Sequence, residues 1–271
     1  MTFHNRTRVS PSIPQRLKDE GRWYLIPFYW LFMTSDLAAE AVRGSGSWKF
    51  ADHIYRGSPS GRLGVGFPLD ALLLRLAPAR AFRRRYLFTR QAVIGRVLEG
   101  GHRASILSVP CGIPRDLIEA AVATSTIPTT RFSGIDLDPE ALAAASREAK
   151  AMGVSERFEF IEADVFDPSA YPSPLDMIVS TGLGEFLDDV RLRKFFRICH
   201  DALEPGGMLV TSATARHRMT SYLLEVAELT AHYRSAVQLD TALRAAGFAH
   251  VALHRDRTGL QTFATATRGH R

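Results

Sequence analysis

Four segments in the second half of the chain place glycines or carboxylates where apolar runs end. In Ser108-Val109-Pro110-Cys111-Gly112-Ile113-Pro114-Arg115-Asp116 the chain leaves a strand-like run and enters a helical pattern. Backbone N–H groups at such a junction are free to meet a carboxylate, and Gly112 lets that backbone come close. Asp136 follows Gly112 by 24 residues, in Gly134-Ile135-Asp136-Leu137-Asp138. There a carboxylate can accept hydrogen bonds from both hydroxyls of a ribose. In Glu162-Ala163-Asp164-Val165, Asp164 can take an adenine amino proton while Val165 meets the ring. Val179-Ser180-Thr181-Gly182 ends a fourth run, so Ser180 and Thr181 would line the floor of the same site.

These segments need a frame that brings strand ends together. Ser105–Val109, Arg131–Leu137, Phe158–Glu162, Asp176–Thr181 and Met208–Ala213 read as strands; Pro114–Thr124 and Pro139–Met152 read as helices between them. Asp138 suits an N-cap, Pro139 a first helical position and Gly153 the residue beyond the end. Leu192, Phe195, Phe196, Cys199 and Leu203 recur at helix spacing before the turn at Pro205-Gly206-Gly207. Strand–helix alternation predicts a parallel sheet with helices on both faces. The end differs, because runs near 249–255 and 260–267 flank Asp256-Arg257-Thr258-Gly259, which suits an antiparallel hairpin.

The first hundred residues are of another kind. Residues 1–20, with Pro11 and Pro14, read as a mobile arm; a helical pattern runs from Trp23 to Val42 and another from Pro78 to Leu98. The apolar window Trp23–Met33 holds Pro27 and is too short to span a bilayer, so it reads as a buried helix or an interfacial cover, without stable membrane insertion. Residues 1–100 carry 16 Lys/Arg against 7 Asp/Glu, and 101–271 carry 18 against 21. The basic excess therefore belongs to the N-terminal part. Arg83, Arg84 and Arg85 lie within a helical pattern and read as a solvated face or as a contact for a small anion; no nucleic-acid motif accompanies them. Two cysteines among 271 residues make no disulfide framework, which fits a cytoplasmic protein. Cys111 reads as a small packed residue, and no metal is expected, since the one short-spaced histidine pair, His250 and His254, falls in the strand-like run near 249–255 and not on a helix.

The order and spacing of these segments, with Leu203-Glu204-Pro205-Gly206-Gly207 before a strand, resemble a class I S-adenosylmethionine-dependent methyltransferase over roughly residues 85–268. The pattern Ser-Val-Pro-Cys-Gly-Ile-Pro-Arg-Asp and the later Thr-Gly-Leu-Gly-Glu-Phe-Leu-Asp-Asp are also similar, loosely, to bacterial enzymes that form fatty-acid methyl esters. The resemblance implies an α/β fold with a doubly wound, mostly parallel seven-stranded sheet, Rossmann-like, and an N-terminal helical extension. The domains would be a helical lid over 1–100 and a cofactor-binding domain over 101–271. S-adenosylmethionine is the implied cofactor, with Asp136 and Leu137 at the ribose, Asp164 and Val165 at the adenine, and Pro110, Cys111 and Gly112 at the methionine part. Arg90 resembles the arginine that some methyltransferases send to the cofactor carboxylate, and neighbouring Arg85 could serve instead. The first motif departs from the superfamily pattern Asp-x-Gly-x-Gly-x-Gly, since Ser108, Pro110 and Pro114 stand where Asp and two glycines are expected.

The acceptor is expected to be a small, largely apolar molecule that can carry a carboxylate, and not nucleic acid or protein. Tyr24, Tyr29 and Trp30 offer aromatic rings with polar tips. The superfamily often makes acceptor contacts where His217, His232, Tyr233 and Arg234 lie. Three other functions compete. A nicotinamide dehydrogenase would use Asp136 but lacks the Gly-x-Gly-x-x-Gly turn. An enzyme of the same fold could attack the methionine chain, by cyclisation or aminocarboxypropyl transfer, and release methylthioadenosine. A non-catalytic protein of this fold could bind an acidic partner. The residues leave the oligomeric state open.

Overall fold

The computed structural model describes residues 12–44, 47–62, 64–99, 104–215 and 231–270. They divide into two compact units, one ending at Arg83 and the other beginning at Arg84. By contact, the C-terminal half of the helix over Ala77–Glu99 therefore belongs with the second unit.

The second unit is built on seven strands: β1 (Ser105–Ser108), β2 (Arg131–Asp136), β3 (Phe158–Glu162), β4 (Leu175–Ser180), β5 (Leu203–Thr214), β6 (His250–Arg255) and β7 (Gln261–Thr267). Their order across the sheet is β3-β2-β1-β4-β5-β7-β6. β1 to β5 pair in parallel, and β7 runs antiparallel to both β5 and β6. Strands covered on both faces must be apolar throughout, which is why Ile106, Leu107, Ile135, Met177 and Ile178 are all fully buried. The expected doubly wound sheet with an antiparallel end is the sheet observed. β5 begins five residues earlier than the pattern suggests, because Leu203 already pairs with Leu175; the pairing with β4 then shifts register between Leu175 and Met177, where Gly206 turns at φ +81°.

Helices close the connections. The chain's first six are α1 (Ile13–Asp19), α2 (Ile26–Phe32), α3 (Asp36–Gly44), α4 (Trp48–Arg56), α5 (Gly66–Leu74) and α6 (Ala77–Glu99). The sheet unit adds α7 (Arg115–Ala123), α8 (Pro139–Ala151), α9 (Asp189–Ala202) and α10 (Ala236–Ala245). Asp138 caps α8 by accepting from the Glu140 N–H at 2.9 Å, with Pro139 in the first turn as expected. Asp188 caps α9, and Ser235 with Gln238 forms a capping box on α10. Phe195 and Phe196 of α9 are 1% exposed against the sheet core. Truncation of side chains this deeply packed costs about 3–5 kcal/mol each.

The structure corrects three expectations for the first unit. Residues 13–19 are helical, not an arm, and residues 1–11 lie outside the described ones. The helical pattern over Trp23–Val42 breaks between α2 and α3. There Ser35 acts as a cap, its Oγ accepting from the Ala38 N–H and its carbonyl from the Ala39 N–H, both at 3.0 Å. Trp23–Met33 is not a buried helix either: Trp23, Phe28 and Trp30 are all more than half exposed.

A buried polar cluster holds this unit's helices together. Asp70 of α5 is fully buried and accepts from the Ser35 hydroxyl, the Leu37 N–H (3.3 Å) and the Ser60 N–H (3.0 Å). His53 of α4 lies between two carboxylates, with Nε2 3.3 Å from Asp70 and Nδ1 3.1 Å from Glu40. Hydrogen bonding to Glu40 raises the imidazole pKa above its ordinary value, and the charges of Glu40 and Asp70 add to that against the opposing effect of burial. A group whose folded pKa is raised stabilises the fold fully below its unfolded value near 6.5, and that stabilisation is lost as pH rises through the higher folded value. Denaturant titrations should show stability falling across that window, whereas His53→Gln should remove the pH-dependent component and be about 1–3 kcal/mol less stable at the acid end. Superimposable pH profiles for the two proteins would contradict this role for His53.

Candidate functional site

Because β1 to β5 run in parallel, their carboxyl ends share one edge, and the strand order reverses between β1 and β4. Ligands of doubly wound sheets bind at that switch point. Ser108, Asp136, Glu162, Ser180 and Thr214 end the five strands there.

Asp136 is the hinge of this edge. Its Oδ2 accepts from the Gly112 N–H at 2.7 Å, and its Oδ1 from the Asp138 N–H at 3.1 Å. Each carboxylate oxygen keeps a further lone pair for a ligand donor. Burial pushes the Asp136 pKa up, while the Gly112 and Asp138 N–H groups favour the charged form. Leu137, the next residue, is 42% exposed and presents apolar surface beside the carboxylate.

The turn after β1 is drawn tightly against β2. The Cys111 N–H donates to the Ile135 carbonyl at 2.8 Å, Gly112 adopts φ +51°, and the Val109–Pro110 bond is cis. This corrects the expectation of free donors in the turn: the Cys111 and Gly112 N–H groups are already used, by the sheet and by Asp136. Cys111 is a packed residue, and burial pushes its thiol pKa up, away from the reactive thiolate. A Cβ on Gly134 would lie 2.9 Å from both Cys111 Sγ and Phe160 Cδ1, so only glycine lets the turn lie this close to β2.

The loop after β3 turns on Asp164, whose side chain accepts from the Phe166 N–H at 2.9 Å. Val165 is 7% exposed and packs into the sheet core, with its carbonyl accepting from the Tyr171 hydroxyl at 2.7 Å. At the end of β4, Ser180 is 2% exposed, and its Oγ is buried with no hydrogen-bond partner among the described residues. Thr181 beside it is partly buried.

The arginines are not where the sequence suggested. Arg90 has its Nε 3.0 Å from Glu119, and Arg84 pairs with Asp256 at 3.5 Å. Arg85 is not on a solvated face but 3% exposed, with Nη1 3.5 Å from Glu185 and 3.2 Å from the Cβ position of Gly182. Arg234 is likewise absorbed by structure. Its guanidinium donates to Asp189 at 2.8 and 3.0 Å and to the carbonyls of Gly184 and Leu187, fixing the loop before α9. The backbone N–H of His232 donates to the Glu185 carbonyl at 2.7 Å, Tyr233 is partly buried, and His217 lies outside the described residues.

Sequence reasoning did not single out Glu185. It lies buried in the short turn Leu183–Phe186 and accepts from the Thr214 hydroxyl, which in turn accepts from the Gln261 side chain at 2.6 Å. This chain of hydrogen bonds ties the ends of β4 and β5 to the start of β7. The available signal was a glutamate two residues after the Gly182-Leu183 turn, among apolar neighbours.

Residues 106–207 match the family model described as a methyltransferase domain. A curated relative, the release factor glutamine methyltransferase of Chlorobaculum tepidum, is 33% identical over 120 residues, covering 43% of this chain and 39% of that protein. The match thus spans well under half of that relative's length. Among solved structures, a Bordetella parapertussis protein described as a possible exported protein superposes with a TM-score of 0.77 at 24% identity, over 90% of this chain and 87% of the other. The magnesium protoporphyrin IX methyltransferase of Synechocystis PCC 6803, solved with S-adenosylhomocysteine, superposes with a TM-score of 0.58 at 14% identity, over 86% of this chain and 100% of the other. Residues 106–207 thus match a methyltransferase domain, and the solved structures share the fold expected of a protein that binds S-adenosylmethionine.

The site residues fit that cofactor. Asp136 retains acceptor capacity for the ribose, Leu137 is open beside it, and the unpartnered Ser180 hydroxyl sits at the switch point. The close seat of the turn is testable on its own. Gly134→Ala should lower the unfolding free energy by about 1–3 kcal/mol, as overpacking does. Chemical denaturation showing unchanged stability would mean that the turn does not lie this close to β2.

Proposed function

We propose that the chain transfers the methyl group of S-adenosylmethionine to a small, largely apolar acceptor that carries a carboxylate. The observation that carries this reading is the joint placement of Asp136, the Gly112 turn and the unpartnered Ser180 hydroxyl at the switch point of the sheet. When bound, the cofactor supplies a methyl group on a cationic sulfonium. The chain's part is to hold donor and acceptor in line and to exclude water.

Asp136 would hold the ribose hydroxyls with Leu137 beside it, and Asp164 and Val165 would meet the adenine. Pro110, Cys111 and Gly112 form the wall at the methionine part, and Ser180 and Thr181 form the floor. For the cofactor carboxylate the candidates are Arg90, which also faces Glu119, and Arg85, which lies against Gly182 at the end of β4 and also faces Glu185. Tyr233 is the acceptor-side residue in this proposal. An ionised acceptor carboxylate is itself the nucleophile, so no general base is required of the protein.

The reaction is tested by incubating the protein with S-adenosylmethionine alone and then with a panel of fatty and aryl acids, with the nucleoside product identified by mass spectrometry. S-adenosylhomocysteine formed only when an acid is present, together with the methyl ester, is the expected result. Methylthioadenosine released from S-adenosylmethionine alone, faster than in buffer, would overturn methyl transfer in favour of attack on the methionine chain.

A further inference from the structure

The N-terminal unit contains a helix turned inside out. α5 has the sequence Gly-Phe-Pro-Leu-Asp-Ala-Leu-Leu-Leu, and its only charged residue, Asp70, is fully buried. The hydrogen bonds of Asp70 to Ser35, Leu37 and Ser60, and its contact with His53, fix the rotation of the helix about its axis. The opposite stripe, at the helical spacing of Val65, Pro68, Leu72 and Arg75, is consequently exposed. Phe67 is 54% and Leu72 58% exposed.

α2 packs beside α5 and continues the surface with Phe28 and Trp30, after Trp23 in the turn before it. Every exposed tryptophan and phenylalanine among the described residues lies in this unit, whereas the exposed apolar residues of the sheet unit are scattered aliphatics. Contiguous aromatic surface of this kind marks a binding face. Exposed Lys18, Arg22, Arg62 and Arg75 stand in the same segments, with Arg22 3.5 Å from Glu20 and Arg62 3.6 Å from Asp36.

We propose that this face docks on an anionic lipid bilayer. Tryptophan rings combine apolar area with an N–H donor and favour the boundary between headgroups and acyl chains. Lys18 and Arg75, which form no ion pair among the described residues, supply charge complementarity to anionic headgroups. α2 and α5 have seven and nine residues, so α5 is about 14 Å long and lies in the interface instead of crossing a hydrocarbon core of about 30 Å. This inference does not rest on the proposed reaction.

The test uses the full chain with phosphatidylcholine vesicles, with and without phosphatidylglycerol. The protein should float with the anionic vesicles, more weakly with the neutral ones, and salt should reduce the binding. Tryptophan emission of the unaltered protein should be quenched by lipids brominated near the headgroup, a readout that needs no variant. Phe28→Ser combined with Leu72→Ser should lower the partition coefficient by about tenfold or more, while Val237→Ser, at an exposed site on α10, should leave it unchanged. Three results would overturn the proposal: no flotation with either vesicle, binding that the double variant leaves intact, or a concentration-dependent dimer that the double variant dissociates. The last would assign the face to a second copy of this chain.

Discussion

The hydrogen bond from the Gly112 N–H to the Asp136 carboxylate, at 2.7 Å, joins the turn after β1 to the end of β2. The rest of the cofactor edge depends on it. Parallel strands place Gly112 and Asp136 on the same edge, and Gly134 lets the turn come close enough for the bond to form. The same carboxylate receives the Asp138 N–H, and the Asp138 side chain then caps α8. One buried acidic group thus fixes a turn, a strand end and a helix start while keeping lone pairs for a ligand.

The other half of the edge is held by a second buried acid. Glu185 receives the Thr214 hydroxyl and faces Arg85, and Thr214 receives the Gln261 amide. Arg234 clamps the loop that follows Glu185. Between these two braced halves lies Ser180, whose hydroxyl is buried without a partner. A hydroxyl in such surroundings costs free energy unless something donates to it or accepts from it.

The sheet was legible in the sequence because strand ends carry local signals: apolar runs of four to six residues, the Asp138-Pro139 cap, and the turn at Asp256–Gly259. Asp136 could be read as a ligand residue because its spacing from Gly112 fits two adjacent parallel strands. What the sequence could not show was which donors are already taken. Cys111 and Gly112 read as free, yet their N–H groups close on Ile135 and Asp136 across 24 residues of chain. Arg85 and Arg90 are equivalent by local pattern, and only tertiary contact buries one and pairs the other with Glu119. α5 carries no periodic signal, since Asp70 is the one charged residue among apolar ones, and only the hydrogen bonds to Asp70 decide which side of the helix is buried.

In the proposed function the Asp136 carboxylate holds the cofactor through its ribose. Calorimetry with S-adenosylhomocysteine and with its analogue lacking both ribose hydroxyls, on the unaltered protein and on Asp136→Ala, measures that contact as a cycle. The account predicts that the unaltered protein binds the dideoxy analogue about 10–100-fold more weakly, and that Asp136→Ala binds both ligands within about threefold of each other. Equal affinity of the unaltered protein for the two ligands, or undiminished discrimination in Asp136→Ala, would contradict it.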